Sequence, residues 1–369
     1  MKVNNLSLEN FRNYSFSEVE LDQSLNIFFG MNAQGKTNLL ESVYISSIGK
    51  SYRASKDSEL INWDKDFFRI KTCVNRNNSD ITLELALSRE GRKLAKINGK
   101  PSRASELNDF LKVVLFTPED LNLIKGSPSC RRNFIDMEIS QISFSYKKMI
   151  SLYNKAVLNR NIVLKKIADG NSNINLLESF TDQVLELGSR IMIKRIEFIN
   201  SISKMADLSH RQISGYDDEL KILYYPSFKI ELASTYDDIK YQFRKKIDSL
   251  KNIEIMRGTT LVGPHRDDIS FEIGEINVQT YGSQGQQRSV VLALKIAELD
   301  FIKLTTQDNA VFLLDDVLSE LDEKRREHLM DKAIIKYQTL ITSADIEYWK
   351  FIPLHYRKFE VSKGNIVVK

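Results

Sequence analysis

Eight residues near the start of the chain, Gly30-Met31-Asn32-Ala33-Gln34-Gly35-Lys36-Thr37, set two glycines around a four-residue turn and follow them with a lysine and a hydroxyl. That order is a P-loop. Its backbone N–H groups cradle phosphates, its lysine reaches the β- and γ-phosphates, and its hydroxyl meets Mg²⁺. A nucleoside triphosphate with Mg²⁺ is therefore expected along Gly30, Met31, Asn32, Ala33, Gln34, Gly35, Lys36 and Thr37. Much further on, the apolar run Ala310-Val311-Phe312-Leu313-Leu314 ends in Asp315-Asp316. A carboxylate at the end of such a strand holds the Mg²⁺ shared with the loop hydroxyl, which assigns Thr37 and Asp315 to the metal. Asp316 is then placed to orient or deprotonate the attacking water, so Lys36 and Asp316 are the expected catalytic pair. The plainer alternative is a strand that merely ends in exposed acids.

A third element is the turn Gly282-Ser283-Gln284-Gly285-Gln286-Gln287. Ser283 can cap the helix that follows, and the helix start offers a second anion site. Alone this is an ordinary capped helix, spare to a chain with its own P-loop unless it reaches a nucleotide on another subunit. His265 lies in Gly263-Pro264-His265-Arg266-Asp267-Asp268. The four histidines (210, 265, 328, 355) make no ligand-spaced cluster, so a structural or interface role is expected, with Asp267 and Asp268 capping Arg266.

These groups need elements to position them. Leu25, Ile27 and Phe29 alternate as a strand before the P-loop, and Leu39, Leu40 and Val43 share one helix face after it. Strands are expected around Lys2–Leu8 and Tyr14–Leu21, and a β-meander through Phe68–Val74, Ile81–Leu87 and Leu94–Ile97 with a tight turn at Asn98-Gly99. Gly49–Arg53 reads as a flexible basic connection. Val113–Phe116 is a short buried strand, and Thr117-Pro118-Glu119-Asp120 starts a helix. From 129 to 255 the pattern is mostly helical, with long amphipathic stretches at Ile142–Ala168 and Leu176–Met205 and an extended piece at Leu220–Leu232. Thereafter α/β character returns: a helix opening near Ser283, the continuous run before Asp315, Leu340–Thr342, and a closing hairpin. Thr37 and Asp315 are 278 residues apart. A compact kinase or small GTPase completes its phosphate site over a shorter chain. The expected fold is therefore α/β, an ATPase domain built from residues 1–125 and 256–369 with a mainly helical lobe, 126–255, inserted.

Composition narrows the setting. A chain of 369 residues with 42% hydrophobic and 28% charged residues suits a globular protein of two or three domains. No apolar run approaches the roughly 18 residues of a membrane span, and two unpaired-looking cysteines support no disulfide framework, so the cytoplasm is the expected location. Net charge is only +4, but between Lys125 and Lys166 nine basic residues (Lys125, Arg131, Arg132, Lys147, Lys148, Lys155, Arg160, Lys165, Lys166) face two acidic ones, Asp136 and Glu138. Such a stripe suits a polyanion such as DNA, with Arg131, Arg132, Lys147, Lys148 and Lys155 as candidate contacts, or else a solvated helix face.

The P-loop, helical insertion, Ser283 turn, Asp315-Asp316 strand and Ser319-Glu320-Leu321-Asp322 resemble the ABC-type ATPases of the SMC class, and within it the RecF family of recombination mediators. Further matching stretches are Asn10–Tyr14, Phe116–Leu121 with Gly126 and Arg131-Arg132, Gly263–Asp268 and Gly282–Arg288. Asp316 departs from the glutamate usual in the class. The resemblance implies ATP and Mg²⁺ sandwiched between two subunits, with Ser283 completing the site in trans and Ser319–Asp322 at the interface. Arg12 and Asn13 match the position that flanks the base. The implied activity is a weak, DNA-stimulated ATPase acting as a switch. An ATP-dependent homodimer clamps gapped or double-stranded DNA, works with RecR and RecO to load RecA, and lets go on slow hydrolysis. The rival readings are another ABC-type ATPase subunit and a small-molecule P-loop kinase.

Overall fold

The computed structural model describes residues 1–171, 174–215, 217–230, 235–344 and 355–369. The chain opens with β1 (Lys2–Phe11), β2 (Tyr14–Glu20), β3 (Leu25–Phe29), α1 (Lys36–Ile48), β4 (Phe67–Arg76), β5 (Ser79–Ser88), β6 (Lys93–Ile97), β7 (Lys100–Ser102) and β8 (Val113–Phe116). Next come α2 (Asn122–Lys125), α3 (Pro128–Ile142), α4 (Phe144–Ala168), α5 (Ile174–Ser214), β9 (Leu220–Tyr225), α6 (Tyr236–Arg257), β10 (Asp268–Ile273), β11 (Ile276–Asn277) and α7 (Val278–Tyr281). The rest is α8 (Gln284–Thr306), β12 (Val311–Asp315), α9 (Glu323–Leu329), β13 (Thr339–Ser343), β14 (Tyr356–Ser362) and β15 (Asn365–Val368). Among the described residues no helix is long and apolar enough to cross a membrane.

Two compact units form, Met1–Asp120 with Leu292–Lys369 and Leu121–Val291. Residues 256–291, expected with the C-terminal ATPase half, pack instead with the helical unit. The cause is pairing: β10 lies antiparallel to β9 and against α3.

The first unit has two sheets. One is antiparallel, in the order β2-β1-β4-β5-β6-β7; the other runs β15-β14-β3-β13-β12-β8 and is parallel except for β15. β12 and β13 are buried at every residue, as continuous apolar runs in a parallel sheet require. α1 packs against strands of both sheets, so the single apolar face expected of it is widened to nearly the whole helix. Its polar residues are partnered inside: Ser46 Oγ lies 2.8 Å from Thr72 Oγ1, and Ser47 donates to the Leu111 carbonyl at 2.6 Å.

The second unit sets α3–α6 beside the small sheet β11-β10-β9. The helix expected from Thr117 is first a 3₁₀ turn, Pro118–Leu121, because Asp120 Oδ2 accepts from both the Thr117 N–H and its hydroxyl. Ser143 separates α3 from α4, its hydroxyl accepting from the Tyr146 N–H. β9 stops at Tyr225, before Pro226, which has no N–H to give a ladder; residues 231–232 of the expected extended piece lie outside the described residues. Two arginines cross-brace the unit. Arg160, 1% exposed, donates to Glu254 at 2.7 Å and to Thr181 and Thr260 at 2.9 Å. Arg195 reaches both Asp136 oxygens and the Pro264 carbonyl. Neither expected cap of Arg266 forms. Asp267 accepts from the Tyr224 hydroxyl and the Ser227 N–H, Asp268 pairs with Arg131, and Arg266 donates to the Thr260 carbonyl.

His265 is structural, as its lone position suggested. Its Nε2 donates to the Thr260 carbonyl at 3.2 Å, which leaves Nδ1 to accept from the Tyr153 hydroxyl at 2.7 Å. Burial lowers its pKa to about 4, against the smaller opposing effect of the Thr260 bond. The folded chain thus holds this imidazole neutral while the unfolded chain protonates it near pH 6.5. Its stabilisation is present above pH 6.5 and is lost as pH falls toward 4, by up to roughly 3 kcal/mol. The urea-midpoint difference between the parent chain and His265→Gln should therefore shrink over that window; a constant difference would show the imidazole titrating normally.

Candidate active site

β3 delivers the chain at Gly30, and α1 begins at Lys36 with no side-chain cap on its first turn and no acidic residue there. Its orphan N–H groups and the helix dipole are left for an anion. Gly35, the residue before the helix, has φ +117°, and a Cβ there would sit 2.6 Å from Asn13 Nδ2 and 2.9 Å from the Tyr14 hydroxyl, so only glycine fits. Met31, Asn32 and Ala33 are exposed on the outer side of the loop. Lys36 Nζ donates to the carbonyls of Gly30 at 2.6 Å and Met31 at 2.9 Å. Burial lowers its pKa while Asp316 and Asp315 oppose the shift. A desolvated ammonium held only by carbonyls is a ready partner for phosphate oxygens.

Across the sheet, β12 lies one strand beyond β13 from β3, and Asp315 at its end reaches the loop. Thr37 Oγ1 donates to Asp315 Oδ1 at 2.8 Å, and Thr342 Oγ1 donates to the same oxygen at 2.8 Å. The Tyr52 hydroxyl donates to Oδ2 at 3.1 Å. Asp316 adopts φ 55°, gives its N–H to Thr342 Oγ1 and is exposed to solvent. Partial desolvation raises its pKa, with Asp315 and Glu320 adding to the shift and Lys36 opposing it. The donor set suits Mg²⁺. Neighbouring ligands of an octahedral ion with ~2.1 Å bonds are about 3 Å apart, close to the Thr37–Asp315 separation. Among the described residues no group of three or more His, Cys, Asp or Glu is placed to hold a metal ion.

Arg12 and Asn13 line a cavity of about 690 Å³ beside the loop, with Asn38, Arg53, Trp63 and Arg89. Both also hold the scaffold. Arg12 makes a two-pronged contact with the buried Glu41, at 3.0 and 2.9 Å, and Asn13 donates to the Gln34 carbonyl at 2.8 Å. Glu41 also accepts from Arg53 at 2.8 Å and Ser51 at 2.5 Å. Burial works to raise the Glu41 carboxyl, but the bonds from Arg12, Arg53 and Ser51 outweigh it and leave the pKa low. The connection Gly49–Arg53, expected to be flexible, is therefore pinned at Ser51, Tyr52 and Arg53.

Ser283 lies in the second unit, exposed at the start of α8; its hydroxyl accepts from the Gln286 N–H at 3.2 Å and Gln286 Oε1 accepts from the Ser283 N–H at 2.8 Å. This reciprocal cap orders the turn. The DNA-contact set needs correcting. Arg131 is 5% exposed and its guanidinium is spent on Asp268 at 2.7 and 2.9 Å, so it is no surface cation. Arg132 gives a donor to the Asp267 carbonyl at 2.8 Å, and Lys147 is half-buried. Lys148 and Lys155 are exposed on α4.

Sequence reasoning gave no role at the site to Tyr52, to Thr342 or to the closing hairpin it expected. Thr342 could have been found from its place at the carboxyl end of a parallel strand; nothing periodic marks Tyr52. In the hairpin, the N–H groups of Lys363 and Gly364 donate to Gln34 Oε1 at 2.8 Å and the Gln34 carbonyl at 3.2 Å, bracing the loop from behind.

Two sheets, a P-loop and an acid-ended strand returning from far along the chain define an ABC-type P-loop ATPase head with an inserted helical lobe. The RecF/RecN/SMC N terminal domain pattern matches residues 2–361, and the chain belongs to that family, within its RecF branch. It is 43% identical to the DNA replication and repair protein RecF of Bacillus mycoides (strain KBAB4), over 94% of this chain and 93% of that one. A solved structure of the recombination mediator protein RecF-ATP in the RecFOR pathway is 30% identical with TM-score 0.92, covering 100% of this chain and 97% of that one. An Smc head domain with an extended coiled coil, bound to part of ScpA derived from Pyrococcus furiosus, is 15% identical with TM-score 0.57 over 100% and 96% of the chains and shares the fold alone.

Gly364 has φ +74°, and a Cβ there would lie 2.3 Å from the Asn13 carbonyl oxygen, whereas Gly91, at φ +82°, has open space around it. Gly364→Ala should cost about 1–3 kcal/mol in strain and weaken nucleotide binding roughly tenfold by shifting the hairpin off Gln34. Gly91→Ala should show a cost in stability alone. Equal nucleotide affinity in the two variants, by fluorescence titration, would remove the bracing role.

Proposed function

We propose that this chain is an ATP-driven, DNA-binding switch of recombinational repair and replication-gap processing. The observation that carries the reading is the 2.8 Å contact of Thr37 with Asp315, which unites the P-loop with a metal-binding acid from the far end of the chain. The 43% identical protein named for DNA replication and repair, and the structure of RecF-ATP, support ATP and DNA as its ligands. ATP places its β- and γ-phosphates on the loop N–H groups, and Lys36 transfers its donors from the Gly30 and Met31 carbonyls to them. Thr37 and Asp315 would hold Mg²⁺, which would supply neutralisation of the phosphate charge. Asp316 orients the attacking water and takes its proton; its short reach goes with slow turnover.

Ser283 completes the site of a second copy, so that ATP joins two chains into a dimer that clamps DNA, with Ser319–Asp322 at the interface. Lys148 and Lys155 supply exposed positive charge for phosphates; Arg132 and Lys147 stay in the set as secondary contacts. The membership of relatives in a RecFOR pathway supports RecO and RecR as partners in loading RecA, in the cytoplasm. A small-molecule kinase would need an acceptor pocket and compact lid, for which a helical insertion of this size is no substitute.

The test is oligomeric state with ATP, with ADP and with neither, alongside ATP turnover with and without DNA at moderate salt. Dimers only with ATP, and faster turnover on DNA, are expected; no DNA binding with ATP present overturns the DNA reading. Lys36→Ala should lose ATP affinity about 100-fold or more, and with it ATP-dependent dimerisation. If that variant still dimerises on ATP addition, the sandwich is wrong. Ser283→Arg should bind ATP as a monomer with near-parent affinity yet neither dimerise nor hydrolyse; weakened ATP binding by the monomer would place Ser283 beside its own nucleotide.

A further inference from the structure

We propose that Tyr52 is a positioning residue for Asp315, setting the affinity of the site for the divalent cation that accompanies ATP; this rests on the nucleotide reading above. Asp315 is 7% exposed, and its carboxylate is surrounded by three hydroxyl donors from separate parts of the first unit. Two of them, Thr37 on α1 and Thr342 on β13, converge on Oδ1. Among the described residues, only Tyr52 donates to Oδ2. With Oδ2 tethered, the carboxylate cannot rotate about its last side-chain torsion, and Oδ1 stays beside Thr37. That is the pair of oxygens whose spacing suits neighbouring corners of a Mg²⁺ octahedron.

The phenol is itself held. Its ring meets Tyr44 of α1 edge-on, with centroids 5.2 Å apart and planes at 77°, and the Arg53 guanidinium lies 5.6 Å from its centroid. Arg53 is in turn tied to Glu41 at 2.8 Å and Asn38 at 2.6 Å, both on α1. Tyr52 is thus fixed to the same helix that carries Thr37, so both oxygens of Asp315 are referenced to α1. Hydrogen bonds of this kind to a metal-binding carboxylate are worth 10- to 100-fold in metal affinity.

The opposite role is physically distinct. If the Tyr52 bond instead competed with the cation for Asp315, its loss would tighten the cation. The experiment titrates Mg²⁺ into the full-length chain with a fluorescent ATP analogue, starting from EDTA, for the parent, Tyr52→Phe and Lys36→Ala, with melting temperatures for each. Tyr52→Phe keeps the ring and loses only the hydroxyl. Its expected signature is parent-like melting and parent-like nucleotide affinity in EDTA, with the Mg²⁺ midpoint raised 10- to 100-fold and the same displacement in the Mg²⁺ dependence of hydrolysis. A midpoint equal to or below that of the parent overturns the proposal. A raised midpoint accompanied by an equal loss of affinity in EDTA also overturns it, because the defect would then be in the fold of the loop. A parent chain whose nucleotide binding ignores both Mg²⁺ and Lys36→Ala overturns the nucleotide site itself, and the proposal falls with it.

Discussion

A hydroxyl–carboxylate contact between residues 37 and 315 closes the site, and most of the first unit serves to make that contact possible. The entropic cost of closing so long a loop grows only logarithmically, about 0.6 kcal/mol per doubling, so length alone is a small obstacle. What the fold must supply is registration. The parallel order β3-β13-β12 does this, because the P-loop and Asp315 both leave the sheet at its carboxyl edge, with Thr342 of the strand between them bonded to the same carboxylate. A shift of one residue in β12 would point Asp316 into the sheet and Asp315 away from Thr37.

Three buried charges are each held by several partners. Glu41, with no exposure, receives two arginines and a serine; Arg160 receives a carboxylate and two hydroxyls; Arg195 receives a carboxylate and a carbonyl. Buried ion pairs gain little net energy over apolar packing, but losing one partner is expensive. Such groups therefore fix geometry more than they add stability. In the first unit Glu41 locks α1 to the turn after β1 and to the connection that carries Tyr52. In the second, Arg195 ties α5 to α3 and to the loop containing His265.

The parts of this arrangement that could be read without coordinates were those with a local physical cause. The P-loop announces itself by glycine spacing, β12 by a continuous apolar run, and the second helix start by Ser283 and its glutamines. The errors came from tertiary partners. Arg131 looked like a cation for DNA because basic residues outnumber acidic ones around it in sequence, yet Asp268, 137 residues away, pairs with it. Asp267 and Asp268 looked like partners for Arg266 because they adjoin it, but backbone direction sends each elsewhere. Tyr52 sat in a segment whose glycine, serine and basic residues suggested mobility, and its anchoring comes from Tyr44, from Asp315 and from an Arg53 that is itself tied to Glu41. Charge density along a sequence is a poor guide to surface charge when helices bury one face.

The strand that feeds the P-loop has a consequence for synthesis. β3 is flanked by β13 and β14, and at Gln34 the loop is braced by Lys363, 329 residues later. At roughly 5–20 residues per second a ribosome needs from about a quarter of a minute to a minute to cover that interval. For most of it, until β13 is made, β3, four of whose five residues end up buried, has neither neighbour and both edges open to foreign strands. The first element a reader of the sequence recognises is among the last the growing chain can finish, and its survival until then falls to collapse with the β1–β7 sheet or to a chaperone.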